Sequence, residues 1–224
     1  MALDITKEIY KIMNYTLIRG DIFDDKYRKA NICICQQCNC ITLRPHKLSA
    51  DMVLKFGSYT NSYGRRTPRN KMSNCNIASV DTRPKPGTIE FCKGVPCVAN
   101  LFGQFFFGKP SDTKQCYFDN SSDDHMEMGI RNDKSSNREA YFKSCLDRLH
   151  YDLVNIHTDI DTVIFPYEIG CGAACGNWKI YENFINQFAG KLKNEKKYTK
   201  IVYNLEKMKD RKQFFSFYSL DFKP

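Results

Sequence analysis

Between Thr162 and Trp178 a short apolar run, Thr-Val-Ile-Phe-Pro, breaks into Tyr-Glu-Ile-Gly-Cys-Gly-Ala-Ala-Cys-Gly-Asn and then into an amphipathic segment. Few folds accept that order. Val163, Ile164 and Phe165 are β-branched or aromatic and suit a buried strand, and Pro166 cannot continue a ladder. Gly170, Gly172 and Gly176 let the backbone come close to another group. Asn177 is placed as an N-cap, and Trp178, Tyr181, Ile185, Phe188 and Ala189 recur at helical spacing until Gly190 stops the pattern. The unit predicted is strand, glycine-punctuated loop and helix, the helix covering Asn177–Gln187. Orphan N–H groups at a helix start, with the helix dipole behind them, attract phosphate. Glycines that only fit a tight turn leave the same local pattern, so both readings stand on this stretch alone.

The rest of the chain repeats the alternation. Strands are predicted at Thr16–Arg19, Ile32–Gln36, Ser73–Ser79, Thr88–Phe91, Val95–Phe102, Thr162–Phe165 and Ile201–Leu205, and further helices at Leu48–Lys55 and Asn137–His150. Ser136-x-x-Glu139 has capping-box spacing, and Tyr141, Phe142, Cys145, Leu146 and Leu149 fall on one side of the helix it opens. Alternating strands and helices favour an α/β fold, a three-layer α/β/α sandwich with a mixed central sheet. In such sheets ligands gather at the carboxyl ends of strands, where both glycine-bearing loops of this chain lie. The expected organisation is an N-terminal extension over 1–14, one domain over 15–205 and a basic, aromatic segment over 206–224. The domain includes a long polar loop at 109–137, rich in Asp, Asn and Ser.

At 224 residues the chain buries a core without needing metals or disulfides. It has neither an apolar run long enough for a membrane span nor the apolar stretch of a signal peptide. The expectation is therefore an intracellular protein, cytoplasmic or nuclear, with no membrane partner. The eleven cysteines are an odd number, several of them inside apolar strand patterns, which reads as reduced thiols. Cys33, Cys35, Cys38 and Cys40 have spacing that invites zinc, yet no second close pair of soft ligands accompanies them. They read instead as small hydrophobes in a strand buried on both faces, so no metal and no cofactor is expected. A net charge of +9 suits phosphorylated ligands. Lys207, Lys209, Arg211 and Lys212 beside Phe214, Phe215, Phe217 and Tyr218 offer a nucleic-acid contact; the alternative is an aromatic tail packed back onto the domain.

A second motif lies near the N-terminus. The strand Thr-Leu-Ile-Arg runs into Gly20-Asp21-Ile22, and the strand from Ile32 ends in Asn39. Together with Ile169–Trp178, these resemble a macro domain in order and spacing across roughly residues 15 to 205. Asn-Cys, Pro-His-x-Leu-Ser (Pro45–Ser49), Tyr63–Arg66, Pro86–Ile89 and Gly108–Pro110 resemble a divergent branch of that family, viral or microbial in type. The resemblance implies binding of ADP-ribose or an ADP-ribosylated macromolecule. Asp21 and the Ile22 N–H would read adenine, Asn39 would hydrogen-bond the distal ribose, Ser49 at the end of the first loop is a further ligand-binding candidate, and Gly170, Cys171, Gly172, Ala173, Ala174, Cys175 and Gly176 would wrap the diphosphate. Tyr203 and Asn204 fall where the family often places adenine contacts.

The departures bear on mechanism. The first loop, Cys40 to Ser49, carries Arg44, His46 and Lys47 where the family usually has glycines. Lysine-dependent ADP-ribose hydrolases resemble this chain around Ile169–Trp178, but their lysine and aspartate correspond here to Gln104 and Ala174, which are neither amine nor base. Asn39, His46 and Asp81 are the remaining candidates for catalysis, with Asp123 and Asp124 in the polar stretch. Two functions stay open: hydrolysis of ADP-ribose conjugates or of a phosphorylated ADP-ribose, and recognition of ADP-ribose or a related nucleotide without turnover.

Overall fold

Strands that are apolar on both faces must be covered on both, and this chain supplies helices for each side. The computed structural model describes residues 13–69, 76–110 and 133–204. These hold β1 (Thr16–Arg19), β2 (Ile32–Asn39), α1 (Leu48–Phe56), β3 (Ile89–Cys92), β4 (Cys97–Gln104), α2 (Ser135–Asn155), β5 (Thr162–Pro166), α3 (Trp178–Asn194) and β6 (Tyr198–Tyr203). The strands form a six-stranded sheet in the order β1-β6-β5-β2-β4-β3. All pair in parallel except β3, which runs antiparallel to β4.

The period of two decides which side chain meets which layer. Cys33, Cys35, Val163 and Phe165 pack with Leu149, Leu153, Ile185 and Phe188 of α2 and α3. Ile32, Ile34 and Ile164 pack on the other face with Met52 and Phe56 of α1. Burying each of the three apolar side chains of β5 contributes about 1.5–3 kcal/mol. A third cluster, Cys38, Cys40, Ile41, Tyr63, Phe102, Phe105 and Phe106, lies under the loops beyond β2 and β4. The result is the expected α/β/α sandwich, and the cysteines of β2 serve as the small hydrophobes that its pattern predicts.

Several boundaries differ from the sequence reading, each for a physical reason. β4 begins two residues later than expected because Pro96 has no N–H for the ladder, and it runs on to Gln104 by pairing with β2. β6 starts earlier, at Tyr198, since Tyr198 to Lys200 pair with Thr162 to Ile164 of β5. Gly190 does not stop α3. Leu192 continues the buried stripe, and that packing outweighs the roughly 1 kcal/mol propensity cost of one glycine. Ser136 and Glu139 form no capping box: α2 already starts at Ser135, which places Ser136 inside its first turn, and the residue at the cap position, Lys134, makes no side-chain cap. Of the strand expected at Ser73–Ser79, the described part contributes one isolated bridge, Ala78 with Pro68. The segments 1–12, 70–75, 111–132 and 205–224 lie outside the described residues, and with them fall Asp123, Asp124, Leu205, most of the polar loop and the basic aromatic end.

Asn177 caps α3 as expected, its Oδ1 accepting the Lys179 N–H at 3.1 Å. Replacing Asn177 with Ala should lower stability by about 1 kcal/mol, read as a shifted denaturant midpoint at constant slope.

Candidate functional site

The strand order reverses direction between β5 and β2. From β5 the chain crosses through α3 to β6 on one side, while β2 is flanked by β4 on the other. Loops that leave the carboxyl ends of two such strands diverge and leave a crevice. Here the loop after β5 (167–177) and the loop after β2 (40–47), continued by the start of α1, border two adjoining cavities. One, of about 350 Å³, reaches toward β1 and β6 and is lined by Asp21, Ile22, Asp51 and Asn204. The other, of about 400 Å³, reaches toward β4 and is lined by Asn39, His46, Ser49, Tyr63, Gln104 and Gly108. Lys47, Leu48, Tyr167, Glu168 and Gly172 line both, which makes them the waist of one cleft.

The loop after β5 is held by its own backbone. Ile169 N–H donates to the Pro166 carbonyl, Cys171 to Glu168, Cys175 to Gly172 and Gly176 to Gly170. The N–H groups of Gly172, Ala173 and Ala174, all of which line the cleft, have no hydrogen-bond partner among the described residues. Gly170 has φ +74, and a Cβ there would lie 2.4 Å from Gln37 Oε1 and 2.7 Å from the Tyr181 ring. This position requires glycine for close approach as well as for conformation.

Among the described residues four non-glycine residues have positive φ, and three belong to this site: Lys47 (φ 50) and Glu168 (φ 54) at the waist, and Cys175 (φ 56) in the loop. A side chain in that region costs on the order of 1 kcal/mol or more, and such residues concentrate at functional sites. The Cβ at Cys175 is therefore a real strain.

Two buried arginines fix the walls of the cleft. Arg66, 7% exposed, donates to the carbonyls of Thr42 (2.7 Å) and Asn39 (2.9 Å) and lies 4.1 Å from the centre of the Tyr63 ring. Burial lowers its pKa from the usual arginine value. Asn39 Oδ1 accepts from Ile41 N–H, Thr42 N–H and Thr42 Oγ1, so the first loop is wrapped around this one amide. Burial also pushes the Tyr63 phenol far above its ordinary value, which keeps it neutral at the edge of the cavity.

The second arginine is Arg138 of α2, 2% exposed and paired with the fully buried Asp133. Asp133 accepts from the N–H groups of Phe105 and Phe106, each at 3.1 Å. The guanidinium donates to Asp133 through Nε (3.0 Å) and Nη2, and to the carbonyls of Phe106, Gly108, Lys109 and Ala174.

Of the residues expected at the site, Asp21, Ile22, Asn39, Ser49, Gly170, Gly172, Ala173, Ala174 and Asn204 line the cleft, as does His46. Asp21 Oδ1 holds the Phe23 N–H at 3.1 Å and Oδ2 accepts from Asn204 at 3.3 Å, while the Ile22 N–H has no partner among the described residues. Four expected residues do not line it. Cys171 packs against the core, Cys175 is exposed and turned to the Ala173 carbonyl, and the Gly176 N–H is spent on Gly170. Tyr203 stands edge-on to Tyr167, whose ring lines the cleft in its place. Asp81 and Arg44 are exposed and also lie outside the lining. Gln104 lines the cavity beside β4 and accepts from Gln37 Nε2 at 2.9 Å, so a pair of neutral amides stands at that position.

Neither a search with protein-family models nor one among curated proteins finds a match. Solved structures are similar to the chain in outline. One is an alphavirus P23pro-zbd structure at 14% identity and TM-score 0.46, covering 88% of this chain, which spans only 23% of that longer one. An Oceanobacillus iheyensis macrodomain with MES bound is similar at 13% identity and TM-score 0.48, covering 84% of this chain and 82% of that one. A glycine-to-valine mutant of that macrodomain with ADPR is similar at 14% identity and TM-score 0.42, covering 84% and 83%. At these values the likeness carries no functional argument; the chain's own residues must.

Two outcomes follow from the loop geometry. Cys175→Gly should hold or raise stability by up to about 1 kcal/mol, whereas Cys175→Val should lower it by more than about 1 kcal/mol, both read by thermal unfolding. Burial pushes the Cys171 thiol up to about 12, so little thiolate exists there at neutral pH. Iodoacetamide on the native protein should therefore modify exposed Cys175 before Cys171, and equal labelling in peptide mass spectra would contradict the geometry.

Proposed function

We propose that this chain is a macro-like domain that binds ADP-ribose across the cleft. The observation that carries the reading is the waist: two cavities of nucleoside and ribose size meet between a lysine and a turn of unpaired backbone N–H groups. A diphosphate at the waist would take those donors and the Lys47 charge. Adenine would then lie in the cavity of Asp21 and Asn204, with the Ile22 N–H donating to a ring nitrogen. The distal ribose would face Ser49, Tyr63 and the Gln37–Gln104 amides, a neutral lining suited to hydroxyl groups.

Calorimetric titration with ADP-ribose at moderate salt tests this, since salt suppresses loose attraction to a +9 chain. Saturable one-to-one binding is expected. Asp21→Ala should weaken it by about 1–3 kcal/mol through a lost charge-assisted hydrogen bond, and Gly172→Val should abolish it by filling the waist. Binding by Gly172→Val at the parent's affinity would reject the assignment.

As the second reading, turnover rests on His46, the one imidazole lining the cleft among the described residues. It is suited to move a proton to or from a bound water or leaving group at the distal end, so hydrolysis of an ADP-ribose conjugate or of a phosphorylated ADP-ribose is the activity to assay. Recognition without turnover is favoured by the amides at Gln37 and Gln104, by Ala174, and by Asn39, whose Oδ1 is committed to its own loop. Release of ADP-ribose or inorganic phosphate that His46→Ala abolishes would decide for the enzyme.

A further inference from the structure

Phe107, Gly108 and Ala174 line only the distal half of the cleft, and they belong to two separate loops, one after β4 and one after β5. A single side chain spans both. Arg138 Nη1 donates to the Gly108 carbonyl at 2.6 Å and to the Ala174 carbonyl at 3.1 Å, while Nη2 reaches the Phe106 and Lys109 carbonyls at 3.3 and 3.4 Å. Asp133 neutralises the guanidinium and holds the same loop after β4 from its amide side, at Phe105 and Phe106.

We infer that Arg138 is a positioning residue, the clamp that sets the width of the distal half of the cleft and thereby the affinity for whatever extends beyond the first phosphate. This rests on the ADP-ribose reading and adds a division of labour to it. The nucleoside half is lined from the ends of β1, β5 and β6 and from the start of α1, and Arg138 donates a side-chain hydrogen bond to none of its lining residues; the distal half depends on one fork of donors from α2. The Ala174 carbonyl held by Arg138 fixes the far end of the turn, where Ala173 and Ala174 line the distal half alone, while Gly172 at the waist lines both halves. Lysine cannot substitute, because one ammonium on a flexible stem cannot serve a carboxylate and carbonyls on two loops at fixed angles.

The test compares ADP-ribose with AMP, which fills the nucleoside cavity and reaches only the waist. Both are titrated calorimetrically against the parent, Arg138→Lys and Arg138→Gln, with thermal unfolding of each protein in parallel. In a folded variant ADP-ribose affinity should fall by about tenfold or more while AMP affinity stays within about twofold, since only distal contacts lose their alignment. Equal loss for both ligands would make Arg138 a general structural residue, and unchanged ADP-ribose binding would show that the fork positions nothing; either result overturns the inference. If neither variant folds, Arg138 is a folding element and the inference is likewise overturned. A parent that binds neither nucleotide would instead overturn the ADP-ribose reading itself, an outcome recognisable before any variant is made.

Discussion

The distal wall of the cleft hangs on a pair of charges withdrawn from water, Asp133 with Arg138. Desolvating two ions costs several kcal/mol each, and their attraction repays that only when the remaining donors and acceptors are also satisfied. Here they are. The carboxylate takes two backbone N–H groups besides the guanidinium, and the guanidinium spreads over four carbonyls. Removing one partner would leave an uncompensated charge in the interior, at a cost of about 3–5 kcal/mol. The pair is thus a weak device for overall stability but a strong one for fixing the relative placement of three segments: the loop after β4, the start of α2 and the loop after β5.

Arg66 plays the parallel part for the loop after β2. It has the Tyr63 ring beneath it and two carbonyl acceptors ahead of it. The walls of the cleft thus share one strategy, in which a buried cation gathers the carbonyls of a loop; in the loop after β5 the N–H groups of Gly172, Ala173 and Ala174 are left without a partner among the described residues. A loop made this way offers donors without mobile side chains, so little conformational entropy is lost when an anion arrives. The positive φ at Lys47 and Glu168 belongs to the same economy. Both residues stand at the waist, where the chain must turn from strand to helix within reach of the bound group, and packing around them sustains a conformation that a free peptide would leave.

What could be read in the sequence was what local chemistry controls. β1 was found at its true ends, the strand at Thr162 and the cap at Asn177 were plain, and the turns carrying Asp21, Asn39 and Gly170–Ala174 lay where strand ends placed them. Ends of elements failed where a distant partner decides them, as with β4 drawn to Gln104 by β2 and α3 carried past Gly190 by the burial of Leu192. Arg138 left no trace at all. In Ser-Ser-Asn-Arg-Glu it reads as a solvated charge in the first turns of a helix, and only the return of two loops over it makes it a core residue. Arg66 could have been found, since Tyr-Gly-Arg-Arg had been singled out as a motif, but nothing local says that its second arginine turns inward. Cys171, Cys175 and Tyr203 show the converse: they sit in the right stretch of chain, but their side chains or N–H groups point away from the cleft.

The charges of the cleft bear on how selectivity arises. The chain as a whole is strongly basic, yet the cavity beside β1 and β6 is bordered by Asp21, Asp51 and Glu168, with Lys47 as its one cation among the described residues. An anion attracted by net charge alone has no reason to settle beside three carboxylates, and at physiological ionic strength that attraction fades beyond about 8 Å. On the proposed ADP-ribose reading, the ligand keeps its negative charge at the waist, next to Lys47 and the 172–174 turn, while presenting neutral donors to the carboxylates on one side and neutral hydroxyls to the amides on the other. Inorganic phosphate meets only the first condition and a nucleoside only the second. A nucleotide whose diphosphate is flanked by two uncharged groups meets both, so on that reading the pattern of charge within the cleft, rather than its sum over the protein, would select the ligand.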